Sequence, residues 1–311
     1  MNPEQIEDSS PIVKTISAGD TEPTLRLRQR RFTIGALALA AIFAVPLWQL
    51  FRHAWETELQ SHILLIPFVT WYLIRIAKGK STPVPRSSSF AGVIAAVCGL
   101  VVLAAYWHWG IHHRVSHNDA LSLATLSFLL FQLANALFTL GWPVLSSRFF
   151  AVAFLVFLIP LPSGFTEWLS VLLQRASAEA ADLMLSFTSI PFFRNGLNFQ
   201  FAGLAIRVAE ECSGVRSTFV LFITSLLAGH LFLRSGWKKA FLALAIFPLG
   251  ILRNAFRITA ISWLTVNVDS GIIDSPLHHR GGPIFFVLSL IPLFALLWLL
   301  RRSDFPKAAR P

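Results

Sequence analysis

Long apolar runs separated by short polar or basic clusters are the first pattern along this chain. Runs at 32–50, 61–77, 88–109, 121–142, 149–162, 217–234, 239–267 and 283–300 approach the roughly 20 residues that a helix needs to cross a bilayer, which predicts eight transmembrane helices. The shortest, 149–162, ends at Pro160-Leu161-Pro162; the alternative for it is a re-entrant segment, which would shift every later loop. Residues 163–216 break the pattern. Over 165–189, Trp168, Leu169, Leu172, Leu173, Ala176, Leu183 and Leu185 fall near helical spacing, with Glu167, Arg175, Glu179 and Asp182 between them. This predicts an amphipathic helix on the outer surface. Beyond Pro191, Phe199, Phe201, Leu204, Ile206 and Val208 alternate on either side of Ala202-Gly203, as in a small β-hairpin outside the membrane.

Composition excludes a soluble domain: 55% of the 311 residues are hydrophobic and 14% charged, against a globular average of roughly 25% charged. A net charge of +10 invites a nucleic-acid reading. The basic residues, however, gather at the ends of apolar runs, which is the positive-inside pattern of a membrane protein. Arg26, Arg28, Arg30 and Arg31 precede the first run, which is expected to be retained as a helix with the N-terminus in the cytoplasm. Arg75, Lys78, Lys80 and Arg86, then Arg148, then Arg234, Lys238 and Lys239, then Arg301, Arg302 and Lys307 fall on that same side if there are eight spans. The expected fold class is an all-α polytopic membrane protein of about eight transmembrane helices with a small extracytoplasmic amphipathic helix and β-hairpin. It divides into a cytoplasmic tail (1–31), a transmembrane domain (32–300, with 163–216 as an extracytoplasmic insertion) and a cytoplasmic C-terminal tail (301–311). Of the two cysteines, Cys98 lies within an apolar run and is expected in the core, so a disulfide to Cys212 is not expected and paired-cysteine zinc sites are excluded.

Three polar clusters carry the candidate chemistry. Glu210-Glu211-Cys212-Ser213-Gly214-Val215-Arg216-Ser217 precedes an apolar helix. A helix N-terminus, with Arg216 one turn on, favours the thiolate of Cys212, whereas Glu210 and Glu211 oppose it unless paired with a cation. Ser213 and Ser217 are candidate caps. The second cluster, Arg253-Asn254-Ala255-Phe256-Arg257, sits within an apolar run, where a guanidinium is costly and must face a partner. Arg253 and Arg257 share a face, and Pro248 with Gly250 is expected to break the helix before them. An arginine that pairs with a buried carboxylate or carbonyls, or reaches an interface, is the structural alternative. The third cluster, Leu277-His278-His279-Arg280-Gly281-Gly282-Pro283, offers a histidine base on the side of Cys212. A metal site lacks a second ligand cluster. His108, His112, His113 and His117 with Trp107 and Trp109 fit an interfacial belt.

In this order the clusters resemble the exosortase/archaeosortase family of membrane-embedded cysteine transpeptidases. Cys212-Ser213-Gly214-Val215-Arg216 is similar to the family's Cys-Ser-Gly-x-Arg signature, Asn254 to Arg257 to its Asn-x-x-Arg, and His278 with Gly282 four residues on to its histidine motif. Ser61-His62 up to Pro67 also looks like a family feature, and the resemblance spans roughly residues 55–300. Glu211 departs from the small apolar residue expected there. The resemblance implies Cys212 as nucleophile, Arg257 as catalytic arginine and His278 as third member, with His279 as the adjacent alternative; Arg216, Asn254, Glu210 and His62 are supporting residues. It implies a protein-sorting enzyme without a cofactor. Its partners would be secreted substrate proteins ending in a Pro-Glu-Pro-type motif, a transmembrane helix and a basic tail, together with membrane lipids and an acceptor amine or lipid, and no nucleic acid. A hydrolase without transfer is the nearest rival. A polytopic transporter or polysaccharide-export component, with Arg253, Arg257 and His278 lining a path, is the rival from another class; such proteins show related halves, and none is evident here.

Overall fold

A computed structural model describes residues 18–77, 87–110, 115–201, 204–207, 214–268 and 282–304. Its helices are α1 (Ala18–Ile42), α2 (Ala44–Glu56), α3 (Ile66–Ala77), α4 (Ser89–Ala105), α5 (His117–Thr139), α6 (Trp142–Ser147), α7 (Phe149–Phe154), α8 (Ser163–Ser186), α9 (Val215–Phe232), α10 (Gly236–Leu244), α11 (Ile246–Asn267) and α12 (Gly282–Asp304). The fold is that of an all-α polytopic membrane protein. Six helical stretches are long and apolar enough to cross a bilayer, and two bent pairs bring the number to eight if each pair is one crossing.

Each bent pair packs against a neighbouring helix. In the first pair, α1 and α2 meet at 73°, just before Pro46, which cannot continue the helix that precedes it. Together they run antiparallel along the whole of α5. Arg28 Nη1 donates to the Thr139 carbonyl (3.5 Å), Asn135 Nδ2 to that of Phe32 (3.1 Å) and Gln132 Nε2 to that of Ala36 (3.1 Å), while His53 Nε2 lies 3.2 Å from Asn118 Oδ1 at the other end. The second pair joins Phe149–Leu158 to α8 at 91°. Its first arm spans α9 from the Phe150–His230 stack (3.7 Å between ring centroids) to the Phe157–Phe219 contact (6.0 Å). The corner that follows is pinned to the start of α5. Asn118 Nδ2 donates to the Leu161 carbonyl (2.6 Å), Ser122 Oγ to that of Pro160 (2.9 Å), and the Ser163 N–H to Asp119 Oδ1 (2.7 Å). Residues 149–158 therefore lie antiparallel to α9 over about 17 Å, roughly half the thickness of a hydrocarbon core.

After that corner α8 leaves the direction of the bundle and lies on α11. Leu169 and Leu173 join a core cluster with Val215 and Ile251, and Ala178, Ala181 and Leu185 one with Ala255 and Ile258. The buried face of α8 is built largely of small residues, whereas Trp168, Leu172 and Leu183, expected to form its apolar face, are exposed. Beyond α8 stands a three-stranded antiparallel sheet in the order β1 (Phe192–Asn195), β2 (Asn198–Phe201), β3 (Leu204–Arg207). The expected hairpin is its second half, with Phe199 opposite Ile206. The additional strand turns at Gly196, whose φ of 62° suits glycine. Phe199 is fully buried against the Ala178–Leu185 face, and Arg194 ties the sheet to α8 through Glu179 (2.6 Å) and Asp182 (3.5 Å).

At the opposite end of the bundle, Lys238 Nζ meets Asp304 Oδ1 at 2.6 Å, and the Arg234 N–H donates to Asp304 Oδ2 (2.9 Å), fixing α12 to α10. Leu221, Leu242, Ile246, Leu293 and Leu297 fill the core between α9, α10, α11 and α12. Two expectations fail in the bundle. Cys98 is exposed on α4, because Gly92, Ala95 and Gly99 form that helix's packed side and lipid-facing positions are as apolar as core ones. The helix break falls at Ala245, not at Pro248, which sits in the first turn of α11 where a missing N–H costs nothing.

Candidate active site

The site is organised around the start of α9. Gly214 is its N-cap residue, with φ of 72°, a left-handed conformation that a side chain disfavours. Ser217, one of the two expected caps, does not cap this end, and Ser213, the other, lies outside the described residues. Instead Ser217 Oγ donates to the Gly214 carbonyl (3.1 Å), which also accepts from the Thr218 N–H (2.9 Å).

Glycines set the distance between α9 and its neighbour. The two chains run antiparallel, with Gly229 against Lys239, Thr218 against Gly250 and Gly214 against Arg253. A Cβ on Gly250 would stand 2.6 Å from Thr218 Oγ1, and one on Gly214 2.5 Å from Arg253 Nη2. Arg253 uses that room to donate from Nη2 to the Gly214 carbonyl (3.5 Å). Its Nη1 is buried without a hydrogen-bond partner, as is Nδ2 of Asn254, a residue only 2% exposed. Arg257 lies one turn further along α11, with its guanidinium 5.9 Å from the Phe285 ring in the first turn of α12. The starts of α9 and α12 thus flank the two arginines.

The depth of this cluster follows from helix lengths. Residues Gly236–Asn267 form 32 residues of near-continuous helix, about 48 Å at 1.5 Å per residue, against a hydrocarbon core of roughly 30 Å. Arg253 lies about 21 Å along that helix from Lys239 and level with the first residue of α9. In an apolar layer of roughly 30 Å that begins at Lys239, that depth is past the middle and about 9 Å short of the far boundary.

The 3-10 turn Glu58–Leu65 closes a second side of the α9 start. Glu58 forms an ion pair with Arg216. His62 is buried, with Nδ1 3.1 Å from the Leu59 carbonyl and its ring edge-on to Phe219 (5.0 Å). Leu59 and the α8 residues Leu169 and Leu173 cover Val215. Glu58 therefore offsets the charge of Arg216 expected to favour a thiolate at this helix start. Arg253 has no carboxylate partner among the described residues.

Of the residues singled out in the sequence, Arg216, Asn254, Arg257 and His62 all border the start of α9 or the adjoining turns of α11. Cys212, Glu210, His278 and His279 lie outside the described residues. Sequence reasoning missed Glu58, whose partner is 158 positions away, and the demand for glycine at positions 214 and 250. Among the described residues, no group of three or more His, Cys, Asp or Glu side chains is placed to hold a metal ion.

No curated protein and no solved structure matches the chain. A family model described as transmembrane exosortase (Exosortase_EpsH) matches residues 55–295. That stretch contains the 3-10 turn with His62, the start of α9, both arginines of α11 and the first half of α12, and the chain belongs to the transmembrane exosortase family.

Proposed function

We propose that the chain is a membrane-embedded cysteine transpeptidase that cleaves C-terminal sorting signals, each a short motif, a transmembrane helix and a basic tail, from secreted proteins at the outer face of the inner membrane. The observation that carries this reading is the contact between two motifs 39 residues apart: the glycine of Cys212-Ser213-Gly214 begins α9 against the first arginine of Arg253-Asn254-Ala255-Phe256-Arg257. A nucleophile motif at a helix start beside guanidinium groups, past the middle of the apolar layer, suits attack on a peptide bond toward the outer end of a docked substrate helix.

In this mechanism the Cys212 thiolate attacks the scissile carbonyl carbon, and Arg257 stabilises the oxyanion with a planar pair of donors. The C–N bond breaks as the imidazolium of His278 gives its proton to the leaving amine, which leaves a thioester on Cys212. An acceptor amine then attacks the thioester and gives a proton back to His278, and the thiolate is regenerated as the new amide forms. Water in place of the amine makes the same cycle a hydrolysis.

The test is conversion of a tagged substrate in membranes, with expression matched. Cys212→Ala and Cys212→Ser abolish conversion while the protein still accumulates, and hydroxylamine traps a thioester only in the unmodified enzyme. His278→Ala lowers turnover more than His279→Ala. Normal processing by Cys212→Ala sinks the nucleophile assignment.

A further inference from the structure

We propose that Arg253 and Asn254 together form a receptor for a carboxylate on the polypeptide that the site handles. Well over nine-tenths of buried polar groups in folded proteins have a hydrogen-bond partner. Here two consecutive residues break that rule at one point: Arg253 Nη1 and Asn254 Nδ2 are both buried and both unpartnered. Both are donors. Both side chains border Gly214, whose missing Cβ would lie 2.5 Å from Arg253 Nη2 and 3.9 Å from Asn254 Cγ. The set therefore converges on one spot beside the start of an 18-residue helix, where the backbone dipole also favours negative charge.

Charge selects the ligand. Among the described residues, Glu58 on the neighbouring 3-10 turn is engaged by Arg216, and Glu179 and Asp182 on α8 are engaged by Arg194, while Glu210 and Glu211 lie outside them. Glu167, also on α8, points to the exposed side of that helix. Arg257 adds a second positive charge one turn along the same face. The buried side of α8 contributes only neutral polar groups, Ser170, Gln174 and Ser177. A water would supply acceptors but no compensating charge, whereas a carboxylate supplies both and matches the guanidinium fork. The carboxylate has two sources in a polypeptide, an acidic side chain or a free C-terminus. The inference rests on the transpeptidase reading only in taking the ligand to be the substrate polypeptide.

The experiment uses full-length Cys212→Ala protein in nanodiscs, so that binding is read without turnover. Fluorescent peptides covering a substrate's cleavage region are compared by anisotropy in four forms: acidic side chain or its amide counterpart, each with a free or amidated C-terminus. Replacing the relevant carboxylate by its amide weakens binding by at least about tenfold, the loss of one charge-assisted hydrogen bond. Arg253→Gln removes that discrimination, and Arg253→Lys retains part of it. Asn254→Asp, which supplies the pocket with its own carboxylate, lowers affinity for the acidic form without lowering thermal stability, so the inference stays testable should Arg253→Gln not fold. Whichever carboxylate loses its effect in Arg253→Gln is the bound one. If the parent protein does not distinguish acid from amide at either position, or if Arg253→Gln and Asn254→Asp distinguish them as the parent does, the receptor is refuted. Failure of the transpeptidase reading shows separately, as absent conversion of the same peptides by protein that retains Cys212.

Discussion

Replacing Gly214 with alanine tests whether the start of α9 is built as described. The φ of 72° places the new Cβ in a conformation that costs an L-residue about 1–2 kcal/mol. The Cβ also stands 2.5 Å from Arg253 Nη2, so the guanidinium must move and give up its bond to the Gly214 carbonyl. That bond is worth about 0.5–1.5 kcal/mol, and its 3.5 Å length argues for the lower part of that range. Gly214→Ala should therefore destabilise the fold by roughly 2–3 kcal/mol. In an Arg253→Ala background the clash and the bond are both absent, so the same change should cost only about 1–2 kcal/mol. The assay is reversible unfolding in mixed micelles, followed by helical circular dichroism across the four proteins of this double-mutant cycle. A cost below about 0.5 kcal/mol for the single change, or equal costs in both backgrounds, would refute the geometry.

Arg257→Lys should abolish substrate conversion while Arg253→Lys is milder, because an ammonium cannot reproduce a planar pair of donors; the reverse result reassigns the arginine role to Arg253. Cys98→Leu should leave stability within about 0.5 kcal/mol and conversion unchanged, since Cys98 is exposed on α4; a large loss in thermal unfolding contradicts that exposure. The Arg194 guanidinium holds the Glu179 carboxyl below its ordinary value of 4.5. Its stabilising contribution is thus present above that value and lost as pH falls through the depressed one. Hydrogen exchange of the sheet between roughly pH 3 and pH 6 should accelerate toward acid, and Glu179→Gln should flatten the response. The proposed topology of eight crossings with both termini cytoplasmic predicts that reporter fusions at positions 80 and 305 read cytoplasm and one at 275 the outside; a cytoplasmic reading at 275 would separate His278 from the side proposed for Cys212.

Hydrophobic runs predicted most of the bundle because crossing a bilayer demands length and apolarity, and both are local properties of a sequence. What they do not encode is which side of a span meets protein. Cys98 falls on the unexpected side for that reason, and so do Trp168 and Leu172 of α8, whose packed face joins the expected Leu169, Leu173 and Leu185 to Ser177, Ala178 and Ala181. The first strand of the sheet was signalled by Asn195-Gly196, a strong turn pair, but its alternation is only four residues long. At the site, the polar clusters within apolar surroundings were legible because isolated charge there is expensive. The pairing of Arg216 with Glu58, and the contact of Arg253 with Gly214, depend on tertiary packing between distant segments. No local periodicity carries that information.

The seam between α9, α10 and α11 is completed by Leu293 and Leu297 of α12, and α12 is locked at its far end through Asp304. In chain order α12 is the last of these helices to emerge from the ribosome. Until it inserts, the cavity that Leu293 and Leu297 occupy lacks its filling, and the helices bearing Gly214, Arg253 and Arg257 are held on one side less. The first turn of α12 also supplies Phe285, the ring beneath Arg257. Biosynthesis thus passes through an intermediate whose arginine-bearing helix is already threaded but not yet braced, and the bracing arrives with α12. A nascent chain halted before residue 285 would lack that ring as well as both leucines.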